Sequence, residues 1–62
     1  MKYSELERKL RAGGCYEDGE MNGHPVWYSP ITRERFKMSR HKSKEVATGT
    51  LKSIKKASGV KF

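Results

Sequence analysis

Cysteine is nearly missing from this chain. Cys15 is the only one, so no disulfide framework can brace the fold. A lone thiol fits a reducing, cytoplasmic setting, and Cys15 reads as a small core residue rather than a reactive group. Long apolar runs are also missing. None reaches even ten residues, so neither a signal peptide nor a membrane span is expected. His24, His41, Cys15 and the acids Glu17, Asp18 and Glu20 show no zinc-type spacing, and Gly13-Gly14 matches no phosphate-binding fingerprint. Repeats, linkers and low-complexity segments are absent. With 62 residues, the expectation is one domain spanning residues 1–62, built on a small core.

Positive charge is what the chain has in excess. The net charge is +7, and it is unevenly placed. Residues 1–32 carry four Lys or Arg against five Asp or Glu; residues 33–62 carry ten against two. Arg33, Arg35, Lys37, Arg40, Lys42 and Lys44 lie close together, and Lys52, Lys55, Lys56 and Lys61 follow. A field of this sign draws in phosphate backbones and speeds encounters with them. It would also attract an acidic protein.

Local patterns give the order α-β-β-β-α. Ser4 and Glu7 form a capping-box pattern, and Tyr3, Leu6 and Leu10 then mark one apolar stripe of a first helix. Gly13-Gly14 ends it. Residues from Cys15 to Met21 read as a first strand, chiefly because Asn22-Gly23 is a strong two-residue hairpin signal with a clear strand after it. The second strand runs from about His24 to Ser29. Pro25 has no N–H to give a ladder, which confines it to an edge or a strand start. The third strand, Arg35 to Ser39, alternates polar with apolar residues, and Arg40 to Val46 is a basic connection. A second helix begins with Thr48 as its cap, buries Leu51, Ile54 and Ala57, and ends at Gly59. The fold class expected is α+β, a three-stranded antiparallel sheet with two helices on one face.

Strand parity directs attention to His24. Side chains alternate along a strand, so His24, Val26 and Tyr28 share one face while Pro25 and Trp27 share the other. So small a core needs Trp27 inside. Phe36 and Met38 should join it, leaving His24 on the open face or rim, with Arg35, Lys37 and Ser39 also outward. A histidine beside cations suits cleavage of RNA. An imidazole can take the proton of a ribose 2′-OH near neutral pH as that oxygen attacks the adjacent phosphorus. Lys and Arg stabilise the added negative charge. This chemistry needs no metal and no cofactor. The leaving 5′-oxygen also needs a proton, and His41, Lys37 and water all remain open as its source. His41, within Arg40-His41-Lys42, also reads as a helix-approach residue or a phosphate contact. Trp27 and Tyr28 are the aromatics able to stack on bases; Trp27 reads as core, and Tyr28 stays open.

The stretch Asn22-Gly23-His24-Pro25-Val26-Trp27, the Arg40-His41 pair, and Gly49-Thr50-Leu51 with Ser53-Ile54 and Gly59 together resemble the HicA family, toxins of bacterial toxin–antitoxin pairs. The resemblance covers nearly the whole chain. It implies a double-stranded-RNA-binding-domain-like α-β-β-β-α fold and a metal-independent mRNA interferase, an endonuclease that stops translation by cutting transcripts. The family's catalytic histidine maps onto His24, as general acid/base. Lys37, Arg40, His41, Lys42, Lys52, Lys55 and Lys56 are then the candidate RNA contacts. The implied partner is a HicB-type antitoxin, which covers the active surface in a toxin–antitoxin hetero-oligomer, and no membrane is involved. The chain departs from the family where Ser39 precedes Arg40-His41 in place of a proline, and where the turn after Pro30 reads Thr32-Arg33-Glu34 without the usual glycine. Two other readings stay open: a non-catalytic RNA-binding module of the same fold, and a basic protein whose only partner is an acidic protein.

Overall fold

A computed structural model describes residues 1–62. The order is α1 (Tyr3–Ala12), β1 (Tyr16–Met21), β2 (His24–Ser29), β3 (Glu34–Lys37) and α2 (Thr48–Ser58). The strands form one antiparallel sheet in the order β1-β2-β3. This is the α+β, α-β-β-β-α architecture that the patterning predicts.

The β1–β2 hairpin follows from its turn. Asn22 and Gly23 have φ of 52° and 79°, the paired left-handed conformation of a two-residue turn whose twist matches the strands. The register pairs Met21 with His24, Glu20 with Pro25, Glu17 with Trp27 and Tyr16 with Tyr28, with an irregularity between Glu17 and Glu20. Pro25 is the second residue of the central strand and lies beside that irregularity, where a regular ladder is already interrupted. β3 pairs Phe36 with Trp27 and Lys37 with Val26. It spans Glu34–Lys37, one residue earlier at its start and two shorter at its end than the alternation predicts.

Trp27, only 1% exposed, sits in the core with Leu6 and Leu10 of α1, Phe36, Met38 and Ile54 of α2, so both helices lie on the Trp27 side of the sheet. The α1 stripe is buried as its spacing predicts. Cys15 is buried in the same cluster. The Arg11 guanidinium lies 4.8 Å from the Trp27 ring centroid, so a long cationic side chain covers the rim of the core. Each fully buried large apolar side chain contributes roughly 1.5–3 kcal/mol.

Both helix starts differ from expectation. α1 begins at Tyr3, its N-cap residue is Lys2, and no side chain caps it. The reason is tertiary. The Tyr3 N–H donates to the Lys44 carbonyl at 3.0 Å, and the Ser4 N–H donates to the Lys42 carbonyl at 2.9 Å. With those donors satisfied by the chain after β3, the Ser4–Glu7 capping box is not needed, and Glu7 instead faces the Lys42 ammonium at 3.6 Å. α2 takes Ala47, not Thr48, as its N-cap residue. Its other end conforms: Gly59 has φ 71°, and its N–H donates to the Lys55 carbonyl. There the Ser29 hydroxyl donates to the buried Ser58 carbonyl and the Thr32 hydroxyl to the Ala57 carbonyl, tying the β2–β3 turn to the end of α2.

Candidate functional site

His24 opens β2 directly after the Asn22-Gly23 turn, and its side chain is exposed. The hairpin fixes where it stands. Antiparallel pairing continues past β3, with the Met38 N–H donating to the Pro25 carbonyl at 2.9 Å, and this carries Ser39 and the following loop alongside His24. The same loop is held from behind by the Tyr3 and Ser4 amides of α1. The result is an open cleft of about 500 Å³ lined by His24, Lys37, Ser39, Arg40, His41 and Lys44, with Tyr3, Gly23 and Met38 completing its wall. Ser39 Oγ accepts the backbone N–H of His41 at 3.1 Å, closing a tight turn that sets the direction of the His41 backbone.

The sequence-derived candidates divide into three groups. His24, Lys37, Arg40 and His41 share the cleft. Lys42 does not line it; it lies in a neighbouring hollow of about 160 Å³ with Glu7, Glu17, Glu20 and Arg40. Lys52, Lys55 and Lys56 form a third group, at the C-terminal end of α2 around a hollow of about 470 Å³ with Lys61 and Phe62. The Lys55 ammonium sits 5.2 Å from the Phe62 ring centroid. Lys44 is the cleft cation that motif reading passed over. Its only sequence signal is membership of the basic run from Arg33 to Lys44, which does not say which members converge.

Two of the cations are already partnered. Arg40 Nη2 lies 2.6 Å from Glu20 Oε1, and Lys42 Nζ lies 3.6 Å from Glu7 Oε1. Acids of the N-terminal half therefore meet bases of the C-terminal half at the margin of the cleft. Lys37 and Lys44 form no such ion pair, so their charge is fully available to an anion there. One further pair secures the base of the loop: the Met1 ammonium binds Glu45 Oε2 at 2.9 Å, and this hydrogen bond, with the ammonium charge, holds the Glu45 carboxyl below its ordinary value. Nowhere do three His, Cys, Asp or Glu side chains gather as a metal-ligand set. No helix is long and apolar enough to cross a membrane.

An exposed histidine in an open cleft with unpaired lysines has the parts for proton transfer next to a bound phosphate. Comparison with curated proteins and with solved structures gives no match. A family model described as the HicA toxin of bacterial toxin–antitoxin systems matches residues 3–60, which takes in both helices, all three strands and the whole cleft. The chain belongs to the HicA toxin family.

Proposed function

We propose that this toxin is an mRNA endonuclease, a single domain over residues 1–62 that inhibits translation by cutting transcripts. His24 acts as general acid/base. The observation that carries the reading is the convergence of an exposed His24 with Lys37, Arg40, His41 and Lys44 around one open cleft. A phosphodiester bound there meets a base and several cations together.

In the proposed reaction the neutral His24 imidazole removes the proton of a ribose 2′-OH. The 2′-oxygen attacks the adjacent phosphorus, and the P–O5′ bond breaks. The products are a 2′,3′-cyclic phosphate and a free 5′-hydroxyl. Negative charge grows on the non-bridging oxygens during attack, and the Lys37 and Lys44 ammonium groups stabilise it. The leaving 5′-oxygen takes a proton from His41, Lys37 or water; the first two line the same cleft. The nucleophile is part of the substrate, so the protein supplies only proton transfer and charge, and no cofactor enters. Lys42 and the α2 lysines Lys52, Lys55 and Lys56 hold more distant phosphates. A HicB-type antitoxin is the proposed protein partner, forming a hetero-oligomer in the cytoplasm in which the cleft is covered.

The test is to incubate purified wild-type and His24→Ala protein with labelled mRNA in EDTA. The expected result is cleavage by wild type alone, with RNA binding retained by the variant. Failure of both proteins to cut would leave a binding module without chemistry. Equal cutting by both would remove His24 from the role.

A further inference from the structure

The sheet has a second face, turned away from the helices, and the cleft does not account for it. Register and parity place Tyr16 and Tyr28 at one end of this face, Met21 and His24 at the other, and Arg35 and Lys37 along its β3 margin. Tyr16 is 48% exposed and Met21 51% exposed, so each end of this face presents one large accessible side chain. The Tyr16 and Tyr28 rings lie 5.6 Å apart, inclined at 49°. Rings so tilted pack edge against face rather than stacking flat, which leaves part of the half-exposed Tyr16 ring open to a planar ligand. Arg35 stands directly across from Tyr28, its Nε 3.0 Å from Asp18 Oδ2, which holds the guanidinium over this face. Lys37 stands across from Val26, has no ion pair, and also lines the His24 cleft. The aromatic end and the cleft are thus two ends of one continuous surface.

We infer that this face is a stacking platform for unpaired RNA, and that the substrate is bound as a single strand across the open sheet. The inference rests on the RNA reading above and names the strand state of the substrate. Three features favour it. First, bases stack on exposed aromatic rings only when they are splayed from a duplex, and such stacking tolerates any base because each has a π-face. Secondly, the unpaired Lys37 lies on the same face as the rings, two residues along β3 from the Asp18-paired Arg35, so a strand can meet bases and a phosphate contact on one surface. Thirdly, His24 and Tyr28 are four residues apart on one strand, roughly 13 Å, so a single strand with its scissile phosphate at His24 reaches the tyrosines within a few nucleotides. A paired helix would bury its base faces and leave Tyr16 without a role.

The experiment uses the full chain with His24→Ala, so that RNA survives the titration. Affinity is measured by fluorescence anisotropy for an unpaired oligoribonucleotide and for a hairpin of the same length. Tyr16→Ala and Tyr16→Phe are compared; Tyr16 is half-exposed, and circular dichroism verifies the fold. Tyr16→Ala should weaken single-strand binding roughly fivefold or more and leave hairpin binding unchanged, while Tyr16→Phe keeps the affinity of the His24→Ala parent. The proposal is overturned if the hairpin binds as tightly as the single strand, if Tyr16→Ala changes nothing, or if no RNA binds. It is also overturned if Tyr16→Ala weakens only the association with an acidic protein partner, since the face then belongs to that partner. Cleavage by wild type is read separately. Tyr16-dependent single-strand binding without cleavage would remove the nuclease reading and leave the platform standing.

Discussion

Glu20→Gln should make this protein bind RNA more tightly. Arg40 Nη2 lies 2.6 Å from Glu20 Oε1, with the two side chains 54% and 57% exposed. At such exposure an ion pair contributes only about 0–1 kcal/mol, because solvent screens the charges and two mobile side chains must be ordered. Folding stability should therefore change by no more than about 1 kcal/mol. RNA binding responds differently. Arg40 lines the His24 cleft, and to reach a phosphate it must leave Glu20, whose charge also repels the incoming backbone. Removing that charge recovers up to about 1 kcal/mol, or about fivefold in affinity. It also frees one more cation for phosphate, which steepens the salt dependence by about 0.7 in logarithmic slope on single strands. A gain of about fivefold near 50 mM salt then falls to about twofold near 200 mM. Anisotropy titrations of labelled RNA against His24→Ala and His24→Ala/Glu20→Gln protein measure both quantities, and repeating the pair with Arg40→Gln closes a double-mutant cycle. The reasoning fails if Glu20→Gln does not tighten binding, if the gain is the same at every salt concentration, or if it persists undiminished without Arg40.

Two predictions concern the scaffold. Arg33 has φ 59° in the turn where the resemblance expects a glycine. Arg33→Gly relieves a left-handed strain of about 1–2 kcal/mol and loses part of that to the greater freedom of the unfolded chain, so a net gain of about 0.5–1 kcal/mol should appear as a higher midpoint in a thermal melt. An unchanged or lower midpoint would contradict this. Gly59→Ala should have the opposite sign. A Cβ there would stand 2.9 Å from Ile31 Cγ2 and 3.0 Å from Thr32 Cγ2, at a backbone φ of 71°. Left-handed strain and displacement of Ile31 and Thr32, in the turn that follows Ser29, should together destabilise by about 2 kcal/mol, read as a lower urea midpoint; a loss under about 0.5 kcal/mol would rule out this account.

Features set by neighbouring residues were readable from the chain. The Asn22-Gly23 turn requires two left-handed residues, the Tyr3, Leu6 and Leu10 stripe has a helical period, and the size of Trp27 decides which face of β2 is inside. From these His24 falls on the face opposite Trp27; its exposure also needs its place at the strand start beside the turn, since Val26 on the same face is buried. Features that depend on distant partners were not readable. Ser4 looks like a cap residue until the carbonyls of Lys42 and Lys44, about forty positions away, take the first amides of α1. Arg40 and Lys42 look like free cations until Glu20 and Glu7 come beside them. Tyr16 sits in an acidic, glycine-interrupted strand with little apolar pattern, and only the hairpin register brings it against Tyr28. Lys44 enters the cleft because the loop folds back on α1, a path that its local sequence does not specify.

The backbone bonds from Tyr3 and Ser4 to Lys44 and Lys42 also bear on how the cleft comes into being. The loop from Ser39 to Glu45 contributes none of the buried core residues; Met38 and Val46 flank it instead. Its shape is borrowed from the first turn of α1, and that turn in turn depends on the loop for its acceptors. Each half satisfies backbone groups of the other, so the helix start and the wall opposite His24 stabilise one another. A chain still folding would carry its histidine and its lysines without an assembled cleft. Fraying at the amino-terminal end of α1, whose Tyr3 itself lines the cleft, should therefore loosen the wall that carries Lys44 and His41.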